Sequence, residues 1–329
     1  MLTFVIRRFI YAIIAMWAVS VISFVIINLP AGDFVTTYIA TQLNTGNIIL
    51  EDEAESLREF YGLNDPVYVQ YTKWITRIVR GELGFSFEFN APVKSVLAMN
   101  LLNTLLLGAG AVFFIWIVAI PIGIYSAVKQ YSPGDYIATF FGFLGLGIPD
   151  FLIALVMAWV IFDTTGFLAT DLYSPEYRTA PWSFAKAWDL AKHMVLPVVI
   201  LGTAGTATLV RIMRANLLDE LKKPYVTTAR AKGLTEWQII MKYPVRYALN
   251  PVISLTAYIL PFIISGSIVL SFVLDLPTIG RDFLRALTAQ DIYLSGAVIL
   301  FSGWLTIIGT FGSDLLLAWV DPRIRLEDD

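Results

Sequence analysis

The chain has 329 residues, a net charge of −3 and no cysteine. The charge points to no polyanionic partner such as nucleic acid, and without thiols there is no disulfide, thiol nucleophile or thiolate metal site. Hydrophobic residues make up 57% and charged residues 15%, against about 45–50% and about 25% in soluble domains, which excludes an ordinary soluble protein.

The apolar excess is gathered into runs long enough to cross a hydrocarbon core about 30 Å thick. An all-α polytopic membrane protein with about six spans is predicted, at approximately 9–29, 101–128, 136–162, 194–213, 249–274 and 295–320. Arg7 and Arg8 precede the first run, Phe9 to Leu29. A cleavable signal has an apolar region of only about 7–15 residues, so this run is read as a retained span.

The loop that follows, about 30–100, is too long for a plain connector. Glu51 to Tyr61 reads as a charged helix stopped at Gly62. Asp65 is placed as an N-cap with Pro66 at the first helical position, opening a helix over VYVQYTKWITRIVR that ends at Gly81. Its Trp74, Ile75, Ile78 and Val79 make an apolar face, and its aromatics suit a membrane interface. That face either lies on the membrane or docks an external partner. GELGFSFEFN is expected to form a turn or short hairpin.

In the third span, Gly145, Gly147 and Pro149 mark a kink. Asp150 follows, expected about 21 Å deep at 1.5 Å per residue. An ionisable residue at membrane depth is a functional candidate: Asp150 either faces a solute pathway, caps the helix restarted by the proline, or pairs with another subunit. In the fourth span Gly202 and Gly205 suit close helix packing. His193 is read as an interfacial residue at that span's entrance. As the single histidine of the chain, it cannot build a metal cluster, and no metal site is expected. Asp314, near the end of the sixth span, is expected to form a structural ion pair with Arg211 or Arg214, at the same depth on the fourth.

With the N-terminus cytoplasmic, the inside segments hold thirteen of the 23 lysines and arginines in the shorter loops, the bias expected of that orientation. The tail DPRIRLEDD then also lies inside.

Residues 214–248 carry the most detailed local pattern. Pro224 suits the first turn of a helix. Val226, Ala229, Arg230, Leu234 and Trp237 recur near helical spacing. Gly233 is placed to end that helix in a left-handed conformation. Thr235 and Gln238 form a Thr-x-x-Gln capping box, with Leu234 and Ile239 at hydrophobic-staple spacing. Pro244 ends the second helix, and Tyr243 before it is expected out of helical conformation. Two short basic helices with a fixed elbow result. Such a segment either lies on anionic lipid or inserts into a groove of a partner; a precise elbow favours the groove.

The stretch YVTTARAKGLTEWQII resembles the cytoplasmic coupling motif of ATP-binding-cassette importer permeases. The family's general form begins Glu-Ala-Ala, with glycine six residues after the Glu. Here Thr227, Thr228 and Ala229 occupy those places, so the leading Glu is absent. The Thr-Ala-Arg-Ala-Lys-Gly form is similar to the branch importing peptides, nickel and related solutes. Arg7-Arg8, LPAGD, YGLNDPVYVQYTKW with GELGFS, Ile148-Pro149, LDLPTIGRDFLRAL, and Asp314-Leu315-Leu316 leading to DPRIR agree with that branch, in order along the whole chain.

The resemblance implies the first permease subunit of such an importer, with a type I ABC importer transmembrane fold. It implies an N-terminal span and structured external loop (1–97), a five-helix permease core (98–320) holding the coupling segment 214–248, and a cytoplasmic tail (321–329). Thr227, Thr228, Ala229, Arg230, Ala231, Lys232, Gly233 and Leu234 would contact the ATPase. Partners would be a second homologous permease subunit, two ATPase subunits carrying ATP and Mg, an external solute-binding protein, and the lipid of a prokaryotic cell membrane. The solute would be a di- or oligopeptide, with oligosaccharide and nickel importers sharing the motifs. The chain itself is expected to be no enzyme and to hold no cofactor; it lacks Gly-x-x-x-x-Gly-Lys-Ser/Thr and His-Glu-x-x-His. A proton-coupled secondary transporter using Asp150 and Asp314, and a membrane receptor with a ligand-binding loop, remain open.

Overall fold

A computed structural model describes residues 2–28, 35–36, 39, 43, 51–61, 64–86, 88–166, 170–289 and 291–320. The expected stop at Gly62, the LPAGD stretch and the tail 321–329 lie outside or mostly outside these residues. The elements are α1 (Leu2–Ile27), α2 (Glu51–Tyr61), α3 (Val67–Val79), β1 (Phe85–Ser86), β2 (Ala91–Pro92), α4 (Val93–Val128), α5 (Pro133–Gly147), α6 (Asp150–Thr165), α7 (Phe184–Leu221), α8 (Pro224–Ala231), α9 (Glu236–Lys242), α10 (Pro244–Val273), α11 (Ile279–Thr288) and α12 (Ile292–Val320). Each predicted span overlaps helix, although Leu29 lies outside the described residues and Ile148 and Pro149 interrupt the third. Among the described residues, α1, α4, α7 and α12 are singly long and apolar enough to cross a membrane, and α5 with α6 makes a fifth if the bent pair is one span. The fifth predicted span falls on α10, a helix of 30 residues.

The centre of the bundle is α4 packed on α7. Small residues let their backbones approach: a Cβ on Gly123 would lie 2.7 Å from Met213 Cβ, and one on Gly202 2.4 Å from Phe114 Cδ1. In lipid, where apolar surfaces gain nothing by hiding from water, such close van der Waals contact is what holds helices together. Ile115, Leu209, Met213 and Leu217 are buried there with Ile240, Val245, Ala248 and Val252 from α9 and α10. At the other end, Val93 and Val96 of α4 pack with Ile279, Ala286, Leu294 and Val298.

The third predicted span is not one bent rod. α5 stops at Gly147 and α6 restarts at Asp150 with the axes 103° apart. Ile148, which precedes proline, is extended at φ −100°, ψ 124°, as the proline ring demands. Pro149 then acts as the N-cap of α6. A kink was expected; the full break follows because two residues, not one, leave helical geometry.

Asp314 does not pair with Arg211 or Arg214. Its partner is Arg8 on α1, Nη1 to Oδ2 at 3.0 Å. The ion pair is present, with a different partner from the one expected. α12 lies beside α1, where a Cβ on Gly303 would sit 2.4 Å from Val19 Cγ1, whereas α7 faces α4 and α5. Arg214 instead forks onto Asp135 at the start of α5, Nε to Oδ1 at 3.1 Å and Nη2 to Oδ2 at 2.9 Å. Arg211 lies over the Phe143 ring, 5.4 Å from its centroid.

Helix α3, in the long loop after the first span, docks on α1: Tyr71 shares a hydrogen bond with Ser20 at 2.8 Å, and Tyr71 and Trp74 pack on Phe24. Val79, expected on the apolar face, is exposed. Pro66, not Asp65, is the N-cap of α3; the Asp65 carboxylate accepts from Lys73 instead. The predicted hairpin is present as β1 paired antiparallel with β2. Buried Asp291 fastens it to α12, accepting from Ser86 Oγ at 2.5 Å and from the Leu294 amide at 3.0 Å. His193 sits within α7, its Nδ1 2.8 Å from the Asp189 carbonyl oxygen.

Candidate functional site at the elbow

At about 1.5 Å per residue, the 38 residues of α7 reach well past a hydrocarbon core about 30 Å thick. The helix therefore carries α8 and α9 to one end of the bundle, where Ile240 of α9 still packs on its core. Pro224 opens α8 at its first turn, and Gly233 closes it with φ +79°. Only glycine adopts that left-handed region without strain. The Gly233 amide donates to the Arg230 carbonyl at 3.0 Å. Thr235 caps α9 reciprocally: the Gln238 amide donates to Thr235 Oγ1, and the Thr235 amide to Gln238 Oε1. Tyr243 keeps a negative ψ of −78° where an extended conformation was expected, and Pro244 starts α10 directly. The next helix follows without a linker, so the tertiary path outweighs the usual constraint before proline.

The inner side of the elbow is dry. Val226, Ala229 and Ile239 are buried against one another, with Tyr225 and Tyr243 around them. The Tyr225 hydroxyl donates to Glu220 Oε2 at 2.5 Å. Burial, and then that bond to the carboxylate, push the phenol's pKa well above its ordinary value. A groove of about 590 Å³ opens here, walled by Tyr225, Tyr243 and Tyr247 with Lys223 and Lys232 at its edge.

The outer side is held by a contact that sequence spacing does not show. Arg230 forks across the elbow onto Glu236, Nε to Oε1 at 2.7 Å and Nη2 to Oε2 at 3.1 Å. The hydrogen bond from Arg230 holds the Glu236 carboxyl below the usual carboxylate range and raises the guanidinium's own pKa. Six positions separate the two residues, which no helical rule pairs; only the turn at Gly233 brings them together. Of the eight residues expected to contact a partner, Ala229 alone is buried; Thr227, Thr228, Arg230, Ala231, Lys232, Gly233 and Leu234 are exposed. Trp237 (68% exposed), Met241 and Leu234 project with them. Three large apolar side chains on a polar, structured knob are unusual for a surface that meets only water.

Asp150 is remote from this knob. It occupies the first turn of α6, at the break, half-buried. A carboxylate suits a helix N-terminus, and among the described residues its side chain has no hydrogen-bond partner. At the opposite end of the bundle, buried Asp282 of α11 accepts from Asn100 Nδ2 at 2.5 Å. The Asn103 amide donates to the Pro277 carbonyl at 2.9 Å, and Tyr173 donates to Asn103 Oδ1 at 2.7 Å. This network stitches the LDLPTIGRDFLRAL stretch to α4; the sequence showed the stretch without showing what it touches.

The comparisons agree with this architecture. Residues 119–326 match the family of binding-protein-dependent transport system inner membrane components, and residues 1–108 match the N-terminal region of such membrane components. The oligopeptide transport system permease protein AppB of Bacillus subtilis (strain 168) is 34% identical over 329 residues, spanning 99% of this chain and 100% of the relative. The dipeptide transport system permease protein DppB of Escherichia coli (strain K12) is 30% identical over 342 residues, 99% of each chain. The oligopeptide transport system permease protein OppB of Salmonella typhimurium is 30% identical over 330 residues, 99% of this chain and 100% of the relative. The chain belongs to the binding-protein-dependent transport system inner membrane components and is a multi-pass permease subunit of an ABC importer, with a type I importer transmembrane domain.

Proposed function

We propose that this permease passes di- or oligopeptides, as the names of its relatives state for them, and that the elbow is where an ATPase subunit grips it. The observation that carries the second part is the clamped turn: left-handed Gly233, the Arg230–Glu236 fork, and Leu234, Trp237 and Met241 presented outward. A rigid amphipathic knob fits a groove, and aromatic anchors supply most of the energy of such contacts. Arg230 acts as the internal brace, and Lys232, Leu234 and Trp237 meet the partner.

Two ATPase subunits bind and hydrolyse ATP with Mg. A second homologous permease subunit completes the path, and an external solute-binding protein delivers the solute. Closure of the ATPases draws the two knobs together, and the spans alternate between inward- and outward-facing arrangements. The bias comes from the difference in ATP affinity between the two states. Both termini and the elbow are cytoplasmic in this reading, which the excess of basic residues in those segments supports. Asp150, half-buried at the break in the third span and without a hydrogen-bond partner among the described residues, faces the path and receives a polar or cationic group of the solute.

In vesicles holding the assembled transporter, peptide uptake is expected to require ATP and to be absent with a proton gradient alone; gradient-driven uptake would sink the proposal. Asp150→Asn is expected to lower uptake of peptides by about ten-fold, the worth of one charge-assisted hydrogen bond of ~1.5 kcal/mol, while ATP-driven conformational cycling persists. Unchanged uptake across a panel of peptides would remove Asp150 from the path.

A further inference from the structure

A cleft of about 660 Å³ opens between α4, α5 and α7. Its wall is almost wholly apolar, with Phe114, Ile122, Phe141 and Val210 among the lining side chains. Its size is that of a ligand pocket, about 300–1,000 Å³. One polar atom in the wall, Thr206 Oγ1, is buried with no hydrogen-bond partner. Towards the elbow end, a second hollow of about 220 Å³ shares Ala138, Gly142, Ala207 and Val210 with the first and is bounded by Arg211 and Arg214. The two form one trough, apolar along its length and basic at one mouth.

The two arginines differ. Arg214 is committed to Asp135 through two hydrogen bonds. Arg211 is exposed and has no acidic partner among the described residues; it rests on the face of Phe143. A guanidinium over an aromatic face keeps its edge donors available. Arg211 lies where the predicted fourth span reaches its elbow-side limit, and Tyr125, exposed and suited to a membrane interface, lines the adjoining cleft. A cation without an acidic partner among the described residues, at the mouth of an apolar trough, has the charge and shape complementary to one molecule of a bilayer: a phospholipid with a net negative headgroup. Basic pockets between spanning helices are places where anionic headgroups bind.

We infer that Arg211 holds the phosphate of an anionic phospholipid whose acyl chain lies in the trough between α4, α5 and α7. The lipid would wedge α5 against α7 beside Gly142 and Gly145, just before the break at Ile148-Pro149. Only the choice of leaflet rests on the cytoplasmic placement of the elbow; binding itself does not, and it needs no transport to be seen.

The test uses the assembled transporter in detergent, exposed to phosphatidylglycerol or to phosphatidylcholine of identical acyl chains, with retained lipid counted by native mass spectrometry. Preferential retention of phosphatidylglycerol is expected. Arg211→Gln should lower it about five-fold, the effect of one basic contact near an anionic headgroup, about 1 kcal/mol. Arg211→Lys should keep most of it, and Ala138→Phe, which fills the trough without changing charge, should lower it for both lipids. Equal retention of the two lipids by the wild type, or undiminished retention in both Arg211→Gln and Ala138→Phe, would overturn the inference. So would a photo-crosslinker at position 138 that joins the second permease subunit and not lipid, since the trough would then be a protein interface.

Discussion

Gly233→Val is expected to leave the protein in the membrane at its normal level and to cut ATP-driven transport at least ten-fold, with loss of the co-purifying ATPase. Nothing lies within 4 Å of a Cβ built at Gly233, so the substitution has room and the effect is confined to the backbone. A left-handed conformation costs an L-residue about 1–2 kcal/mol, and more when the side chain is branched at Cβ. The forces holding the elbow shut are an exposed ion pair, which water largely screens, and the capping box. The dry cluster of Val226, Ala229 and Ile239 keeps each helix seated, but a change at φ of residue 233 re-aims α9 and with it Trp237 and Met241. Gly233→Asn should lie between valine and wild type, because asparagine tolerates the left-handed region. Valine variants that still co-purify the ATPase at wild-type stoichiometry would show that the turn at Gly233 is not what the partner recognises.

The largest stability effect is expected from Arg214→Ala. Asp135 is 3% exposed and takes two hydrogen bonds from Arg214 and one, at 2.9 Å, from the Tyr131 amide. Removing one partner of such a pair strands the other charge away from water, at about 3–5 kcal/mol. Arg214 is itself partly exposed, which places the loss near the lower end, about 3 kcal/mol. The Asp135→Ala, Arg214→Ala double variant should be more stable than Arg214→Ala alone, because it leaves no orphaned carboxylate. Thermal unfolding of the assembled complex in detergent reads this ordering directly. A double variant that is less stable than either single one would mean the pair contributes through packing and not through charge.

What the sequence made legible was local chemistry. The capping box at Thr235 and Gln238, the proline at 224 and the glycine at 233 each act within a few residues, and all are present in the structure. The small residues of α7 were readable for the same reason, since glycine in a membrane-spanning helix has few uses other than close approach. The partners of charged side chains were not readable. Asp314 and Arg214 both sit near the same end of the bundle, and depth alone allowed them to meet. Which helices are neighbours is decided by packing across the whole molecule, and it sends Asp314 to Arg8 and Arg214 to Asp135. Glu236 was missed because its link to Arg230 exists only after the chain has turned. The break at Ile148-Pro149 was half legible: proline announces a disturbance, while the angle depends on where α6 finds its packing surface.

That break sets a requirement on solvent. α5 ends with carbonyls that have no following amides, and α6 begins with amides that have no preceding carbonyls. Both sets meet at one level of a chain otherwise built to satisfy its backbone internally. Irregular backbone at such depth persists only where protein or water supplies the missing hydrogen bonds, and Ile148 and Phe151 beside it are exposed. Water is therefore expected to reach the corner from one side of the membrane even when no solute is passing. A cysteine introduced at Ile148 is expected to react with a water-soluble, membrane-impermeant thiol reagent, while one at Phe113, exposed on the apolar face of α4, stays inert. Equal inertness at both would mean the corner is dry and its backbone groups are satisfied by a neighbouring subunit. Reaction at position 148 would make the broken span a place where one helix's carbonyl end and the next helix's amide end both meet water, with Asp150 in the first turn beside them.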